Sequence, residues 1–149
     1  MEYWEEINKK LKPWVDTDLD KTVVDLFAGC GGLSLGFEAN GFRTIGYEMD
    51  ENATNTYNEN LIGECFNQKL TTETKFPKAD LVIGGPPCQP FSVGGKQLGL
   101  KDSRDGFPIF LSAIKQLDPE VLLFENVRGM LYKNKWYLKI DFKFEIYYF

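Results

Sequence analysis

The sequence predicts an α/β fold with a mainly parallel sheet and helices on both of its faces. Short β-branched or apolar runs alternate with longer stretches that carry a helical pattern, and most of the runs end at a glycine or an acid. Such runs are typical of strands buried on both faces, and the alternation indicates strand–helix–strand units. The 149 residues, 43% of them hydrophobic, suffice for about one domain with its own core.

The first twenty residues carry an apolar stripe with the spacing of one helix face, formed by Trp4, Ile7, Leu11 and Trp14. Pro13 is expected to end this helix near Lys12. We interpret residues 1–20 as a helical extension that packs on the main domain. A helix that binds a partner is the alternative.

The domain proper begins with a strand at 22–27, which leads into the glycine-rich segment Ala28-Gly29-Cys30-Gly31-Gly32. The elements that follow are predicted as helix 33–40, strand 43–47, helix 51–60, a short strand at 65–66, strand 80–83, helix 107–117 and strand 121–124. Residues 84–106, rich in Gly, Pro, Ser and Lys, form a loop whose length is typical of functional loops.

Four residues that could bind a ligand or take part in a reaction follow predicted strand ends: Gly29, Glu48, Cys88 and Glu125. In parallel sheets, ligands collect beyond the carboxyl ends of the strands. The pattern therefore predicts one site that contains all four.

The composition limits the chemistry of this site. The chain has three cysteines and no histidine, so neither a disulfide framework nor a structural zinc site is expected, and we predict no metal. A general base must be a carboxylate, a lysine, a tyrosine or water. The net charge of −5 argues against a complete DNA-binding protein. The acidic N-terminus and the absence of a long apolar run predict a soluble cytoplasmic protein without a membrane partner.

The glycine-rich turn predicts an adenosine-containing cofactor when it is taken together with Glu48, which lies 19 residues after Gly29. Glycines permit close approach of the backbone to a ligand, and an acid at the end of the next strand can accept hydrogen bonds from both ribose hydroxyls. A turn that serves only strand–helix packing is the alternative. The spacing does not distinguish nicotinamide or flavin cofactors from S-adenosylmethionine.

Cys88 is the candidate nucleophile because the two preceding prolines stiffen its loop and no apolar periodicity surrounds it. Cys65 fits an ordinary buried cysteine, and Cys30 is expected to contribute only backbone to the glycine turn. Glu125 is a candidate acid, whose pKa burial could raise for that task.

Three blocks in this order resemble the cytosine carbon-5 DNA methyltransferases, most closely the bacterial restriction–modification type. The blocks are Asp25-Leu26-Phe27-Ala28-Gly29-Cys30-Gly31-Gly32, Gly84-Gly85-Pro86-Pro87-Cys88-Gln89-Pro90-Phe91-Ser92 and Glu125-Asn126-Val127-Arg128-Gly129-Met130. The resemblance implies a Rossmann-like S-adenosylmethionine-dependent methyltransferase fold, with a cofactor-binding and catalytic portion at 21–132.

The resemblance also implies the cofactor S-adenosylmethionine, released as S-adenosylhomocysteine. Its binding residues would be Phe27, Ala28, Gly29, Cys30, Gly31, Gly32, Glu48, Met49, Asn67 and Pro87. Glu48 would hold the ribose, and Met49 would pack on the adenine. The family usually has an aspartate at the position of Asn67, where it reaches the adenine amine. An asparagine can accept this bond without charge, so weaker cofactor binding is expected.

For the chemistry, the resemblance implies that Cys88 adds to carbon 6 of a cytosine flipped out of double-stranded DNA, while Glu125 bonds ring nitrogen 3. An RNA substrate is the alternative. An oxidoreductase with a nicotinamide would share the glycine turn but would not explain the Cys88 or Glu125 blocks.

The family pattern continues beyond the third block with a paired-arginine block, a target-recognition region and a returning segment. Residues 133–149 form an atypical tail, so we expect a truncated fold from a frameshifted, prematurely ended or split gene. The expected enzyme would then need a second polypeptide that carries the recognition region. The alternative is an inactive cofactor-binding fragment.

Overall fold

The protein is described by a computed structural model that covers residues 2–87 and 106–126. Within these ranges the strands are β1 (Thr22–Leu26), β2 (Arg43–Glu48), β3 (Glu64–Asn67), β4 (Leu81–Gly84) and β5 (Val121–Phe124). The helices are α1 (Tyr3–Lys10), α2 (Gly32–Glu38), α3 (Glu51–Asn60) and α4 (Phe107–Leu117). The predicted alternation of strands and helices is thus confirmed.

The five strands form one parallel sheet in the order β3-β2-β1-β4-β5. The chain runs outward from β1 through β2 to β3, returns to the other side of β1 as β4, and continues to β5. The order therefore reverses between β1 and β4. In open parallel sheets a crevice forms at such a switch point, beyond the carboxyl ends of the strands.

Helices cover both faces of the sheet, as predicted. Alternate residues of each strand point to opposite faces. On one face, Val24, Leu26 and Val82 pack with Phe110 and its neighbours in α4. On the other face, the residues of β1 and β4 pack against α2, and those of β2 and β3 pack against α3. The residues that make these second-face contacts include Val23, Ile83, Leu33, Phe37, Tyr57 and Cys65.

A buried carboxylate links α2 to the loop before β3. Glu38 has no exposed surface. It accepts hydrogen bonds from the backbone N–H groups of Ile62 and Gly63, both at 2.8 Å, and from the hydroxyl of Thr44. The Thr44 hydroxyl in turn accepts a 2.7 Å bond from Tyr57. This network fixes the helices of one face to the sheet.

The predicted packing of the N-terminal helix on the domain is wrong for α1 itself. The helix forms, but none of its residues is buried, and Trp4 is 68% exposed. A capping box and a 2.7 Å ion pair between Glu6 and Lys10 stabilise it locally instead. Contact with the domain begins at Trp14, whose indole N–H donates to the carbonyl of Ala39 at 3.1 Å.

The first four strands differ from their predicted bounds by one residue at one or both ends. β1 ends at Leu26 because Phe27 adopts a φ of +61° and turns the chain into the glycine segment. β4 begins at Leu81, directly after Asp80, whose carboxylate accepts the N–H of Thr22 and pairs with Lys21. Across 2–87 and 106–126, the helices are too short or too polar to cross a membrane.

Candidate active site

The glycine-rich turn lies at the switch point, directly after β1. Phe27, Gly29 and Gly31 all have positive φ, at +61°, +55° and +88°. A phenylalanine in this region costs about 1–3 kcal/mol, so the surrounding structure must hold it there. The N–H of Ala28 donates to the carbonyl of Tyr47 at 3.1 Å, which ties the turn to the end of β2.

The glycines of this turn have different purposes. A Cβ at Gly31 would lie 2.7 Å from the ring of Tyr57, so this glycine allows α3 to pack against the turn. Among the residues that the structure describes, a Cβ at Gly29 or Gly32 would meet no atom within 4 Å. These two glycines therefore border open space, into which a ligand can approach the backbone closely.

Glu48 faces the turn from the end of β2 and is held by three backbone donors. Its Oε2 accepts the N–H of Gly29 at 3.0 Å. Its Oε1 accepts the N–H groups of Met49 and Asp50 at 2.8 and 2.9 Å. Oε1 thus already has two donors, whereas Oε2 has one and retains acceptor capacity on the side of the glycine turn. The predicted proximity of Gly29 and Glu48 is thus seen as a direct hydrogen bond.

Met49 and Asn67 lie beside Glu48. Met49 is 70% exposed, which leaves an apolar side chain next to the site available for contact. Asn67 ends β3, and its amide nitrogen donates to the carbonyl oxygen of Met49 at 3.1 Å. The neighbouring strands β1, β2 and β3 thus bring the glycine turn, the acid and these two residues to one edge of the sheet.

A buried acid lies beneath the turn. Asp25 is only 1% exposed, and its Oδ2 accepts a 2.7 Å hydrogen bond from the hydroxyl of Ser34 in α2. Its Oδ1 has no partner among the residues that the structure describes. Burial raises the pKa of Asp25 to about 6, against the lowering effect of the bonds to Ser34. Asp25 is not among the predicted site residues.

Asp25 is expected to make the free energy of unfolding depend on pH. The pKa is about 6 in the fold and near 3.8 in the unfolded chain, so the fold binds this proton more tightly. Its stabilising contribution is complete below about pH 4 and is lost as the pH rises to about 6, in total about 3 kcal/mol. The wild type should lose this contribution between pH 4 and pH 8, whereas Asp25→Asn has no such contribution to lose. The free energy of unfolding of Asp25→Asn minus that of the wild type should therefore be larger at pH 8 than at pH 4. Urea unfolding across this range measures the difference, with exposed Asp18→Asn as control; equal curves would contradict the assignment.

The residues that flank the segment 88–105 meet next to the glycine turn. The N–H of Gly106 donates to the carbonyl of Pro87 at 3.1 Å. A Cβ on Gly106 would lie 2.7 Å from Pro87 and 2.9 Å from the ring of Phe27. The backbone contact between these two ends thus depends on a glycine, and Phe27 packs against their junction.

Replacing Gly106 by alanine is expected to destabilise the fold by about 1–3 kcal/mol, because the added methyl group overpacks this junction. Gly36→Ala is the matched control, since a Cβ there meets nothing within 4 Å and the residue lies inside α2. It should stabilise by about 0.5–1 kcal/mol through helix propensity. Urea unfolding of both variants tests the opposite signs. A neutral Gly106→Ala would show that the junction is loose.

Glu125 follows β5 on the same edge of the sheet. Its N–H donates to the carbonyl of Gly84 at 3.0 Å, and its Oε2 lies 2.9 Å from the point where a Cβ of Gly85 would stand. The carboxylate therefore lies against the backbone that leads to Pro86. The amide of Asn126 donates to the carbonyl of Pro86 at 3.1 Å. The side chain of Glu125 is exposed.

Of the four residues predicted to share one site, three lie on this edge: Gly29, Glu48 and Glu125. Cys88 falls outside the described residues, but it directly follows Pro87. Of the other two cysteines, Cys65 has the burial predicted for it. Cys30 is exposed in the turn, while Cys65 is buried, and burial raises the pKa of its thiol to about 11. A thiol with such a pKa is mostly protonated at neutral pH and therefore unreactive.

Sequence reasoning missed three contributors: Asp25, Gly106 and Asn126. A charged residue inside an apolar strand was a usable signal for Asp25. The junction of Gly106 with Pro87 and Phe27 joins residues that are far apart in the sequence, so no local pattern could indicate it. Asn126 lies in the third block of the family resemblance, but its contact with Pro86 could be predicted only from the register of β4 and β5.

Comparison with known proteins places this arrangement in context. Residues 21–143 match the family model described as C-5 cytosine-specific DNA methylase. The Type II methyltransferase M.AplI of Arthrospira platensis is 55% identical over 140 residues, which are 93% of this chain and 41% of that protein. The Type II methyltransferase M.AquIA of Picosynechococcus is 36% identical, over 78% of this chain and 52% of that protein. The chain thus spans about half or less of these relatives.

Solved structures agree on the fold. A variant of Spodoptera frugiperda DNMT2 is similar with a TM-score of 0.57 and 26% identity, over 82% of this chain and 40% of that one. A tRNA (uracil-54, C5)-methyltransferase of Pyrococcus abyssi, in complex with S-adenosyl-L-homocysteine, has a TM-score of 0.50 and 18% identity, over 84% of this chain and 27% of that one. The likeness confirms the predicted Rossmann-like methyltransferase fold.

Proposed function

The chain belongs to the C-5 cytosine-specific DNA methylase family, and on this premise we propose that it provides the cofactor-binding and nucleophile-bearing part of a DNA (cytosine-5-)-methyltransferase. One observation carries the proposal. The glycine turn, Glu48 and Glu125 lie on a single edge of the sheet, next to Pro87, which precedes Cys88. The family membership also removes the reason to consider a nicotinamide oxidoreductase.

The cofactor of the proposed enzyme is S-adenosylmethionine, which supplies the methyl group. The residues present fit it, since Gly29 borders open space and the fixed carboxylate of Glu48 lies directly beside Gly29. Glu48 would accept hydrogen bonds from the ribose hydroxyls, and Met49 would cover the adenine. Asn67 would accept a hydrogen bond from the adenine amine. Backbone of the turn would contact the rest of the molecule, from Phe27 and Ala28 through Cys30 and Gly31, with Pro87 on the opposite side.

The chain's own residues would activate the target cytosine. The Cys88 sulfur forms a bond to carbon 6, and Glu125 holds a proton at ring nitrogen 3, so that carbon 5 becomes nucleophilic. After carbon 5 is methylated, water removes its proton, and the electrons of that bond re-form the 5,6 double bond as the sulfur leaves. Since the chain contains no histidine, the site's electrostatics or the substrate complex must generate the thiolate.

The partner of the proposed enzyme is double-stranded DNA with a flipped cytosine, in the cytoplasm of a bacterium and at its nucleoid. The net charge of −5 indicates that the surface holding DNA is largely supplied elsewhere. We therefore propose that the length present in the relatives but not matched here, more than half of M.AplI, comes from a second polypeptide. The same coverage supports the alternative, a fragment that binds cofactor without activity.

Calorimetry tests the cofactor assignment directly. The chain should bind S-adenosylmethionine and S-adenosylhomocysteine and should not bind NAD. Binding of NAD in preference to either would contradict the assignment. The measurement needs neither DNA nor a second polypeptide, so it addresses the cofactor separately from the chemistry.

Trapping on DNA tests the reaction. With 5-fluorocytosine at the target position, carbon 5 has no proton to lose, so the enzyme should remain covalently bound to the DNA. The adduct should form with the cofactor and the complementary polypeptide of a relative, and it should be absent in Cys88→Ser. An adduct that persists in Cys88→Ser would refute the assigned nucleophile. No adduct with either DNA or RNA in any combination would favour the inactive fragment.

A further inference from the structure

The side chain of Asn67 faces three oxygen atoms of the segment that runs from the last residue of β2 into the first turn of α3. Its Nδ2 lies 3.1 Å from the carbonyl oxygen of Met49, 3.3 Å from that of Glu48 and 3.4 Å from Oγ1 of Thr54. This segment also carries the carboxylate of Glu48, which faces the glycine turn. Asn67 therefore connects the end of β3 to the segment that carries the proposed ribose and adenine contacts.

The chemistry of these neighbours determines how the amide is oriented. Two of them are carbonyl oxygens and can only accept hydrogen bonds. The third is the Thr54 hydroxyl, which donates its own proton to the carbonyl of Asp50 at 2.9 Å and so is left to accept. Only the NH₂ end of the amide can donate to them, and its two hydrogens are shared among the three acceptors. Oδ1 must then point away from them, and no donor of the described residues reaches it.

We infer that Asn67 is a positioning residue whose amide nitrogen holds Glu48 and Met49 in place for the adenosine part of the cofactor, so that an aspartate at this position would impair the site. The inference rests on the proposed function and concerns how this chain performs it. A carboxylate has no proton to donate at neutral pH. It would stand about 3 Å from two carbonyl oxygens and repel them, which would shift the turn that carries Glu48.

The inference reverses the expectation drawn from the family pattern alone. If the residue served only to accept a hydrogen bond from the adenine amine, an aspartate would make that bond charge-assisted. Asn67→Asp would then bind S-adenosylhomocysteine at least as tightly as the wild type. If the amide nitrogen is the essential group, aspartate is the worst replacement, below even alanine. Alanine loses the three bonds but introduces no repulsion. The rank order of three proteins therefore separates the two roles.

The test is calorimetry with S-adenosylhomocysteine on the wild type, Asn67→Ala and Asn67→Asp. We expect the affinity to fall about threefold for Asn67→Ala and about tenfold or more for Asn67→Asp. The matched control is Asn60→Asp, which makes the same charge change and also loses an amide-to-carbonyl bond, at the far end of α3. The control should bind like the wild type. An affinity of Asn67→Asp at or above that of Asn67→Ala overturns the inference.

Hydrogen exchange without ligand separates this inference from the proposed function. Asn67→Asp should speed exchange of the backbone amides of 48–54 several-fold more than Asn60→Asp does, whether or not the protein binds the cofactor. Thr54→Val should reduce the effect of Asn67→Ala, because one partner of the amide is already missing. If the wild type does not bind S-adenosylhomocysteine, the proposed function fails while the exchange data still decide the inference. Unchanged exchange in Asn67→Asp overturns it.

Discussion

Replacing Glu48 by alanine is expected to weaken the binding of S-adenosylhomocysteine at least about 100-fold. Hydrogen bonding of the ribose to the carboxylate accounts for most of this loss, since a bond to a charged group contributes about 1.5–3 kcal/mol. A second contribution comes from the protein itself. The N–H groups of Gly29, Met49 and Asp50 lose their common acceptor, so the turn after β1 and the turn after β2 are no longer joined.

Calorimetry on two further variants distinguishes these contributions. Glu48→Gln retains one acceptor oxygen but presents an NH₂ group to backbone donors, so its loss of affinity should be comparable to that of Glu48→Ala. Glu59→Ala removes an exposed carboxylate from α3 at a distance from the turn and should bind normally. Retention of wild-type affinity in Glu48→Ala would show that the carboxylate only ties the two turns together.

The prominence of Glu48 illustrates which parts of the site the sequence reveals. β1 and β2 are parallel neighbours in register from Thr22–Arg43 to Leu26–Tyr47, so their carboxyl ends must meet. A glycine turn and an acid 19 residues apart are then brought together by topology alone. The same logic placed Glu125 on this edge, since β5 pairs with β4 in parallel. A local sequence pattern together with a regular parallel sheet is sufficient to predict where such residues lie.

Other features depend on contacts that no local pattern encodes. The α1 stripe has the spacing of a packed helix, yet spacing does not specify a surface to pack against, and Trp4 remains exposed. The ring of Phe27, a residue with positive φ, packs against the junction of Gly106 and Pro87, and this contact joins residues that are far apart in the sequence. The orientation of the Asn67 amide likewise depends on three oxygens from another segment of the chain.

Replacing Glu38 by alanine is expected to destabilise the fold by about 3–5 kcal/mol, because removing one partner from a buried charged network leaves the others unsatisfied. The donors concerned are the N–H groups of Ile62 and Gly63 and the hydroxyl of Thr44. The loop has little room to rearrange, since a Cβ on Gly63 would already lie 2.2 Å from the carbonyl oxygen of Thr44. For a chain of this size the melting temperature should fall by about 10 °C.

Glu38→Gln provides a milder test in case the alanine variant does not fold. The glutamine keeps one acceptor oxygen, which can serve Thr44 and Gly63, but its NH₂ group would face the N–H of Ile62. Its loss of stability should therefore lie between those of the wild type and Glu38→Ala in urea unfolding followed by circular dichroism. Because this network lies at the opposite end of α2 from the glycine turn, the folded fraction of Glu38→Gln should bind S-adenosylhomocysteine within about threefold of the wild type. A normal melting temperature combined with weakened binding would instead place Glu38 among the determinants of the site.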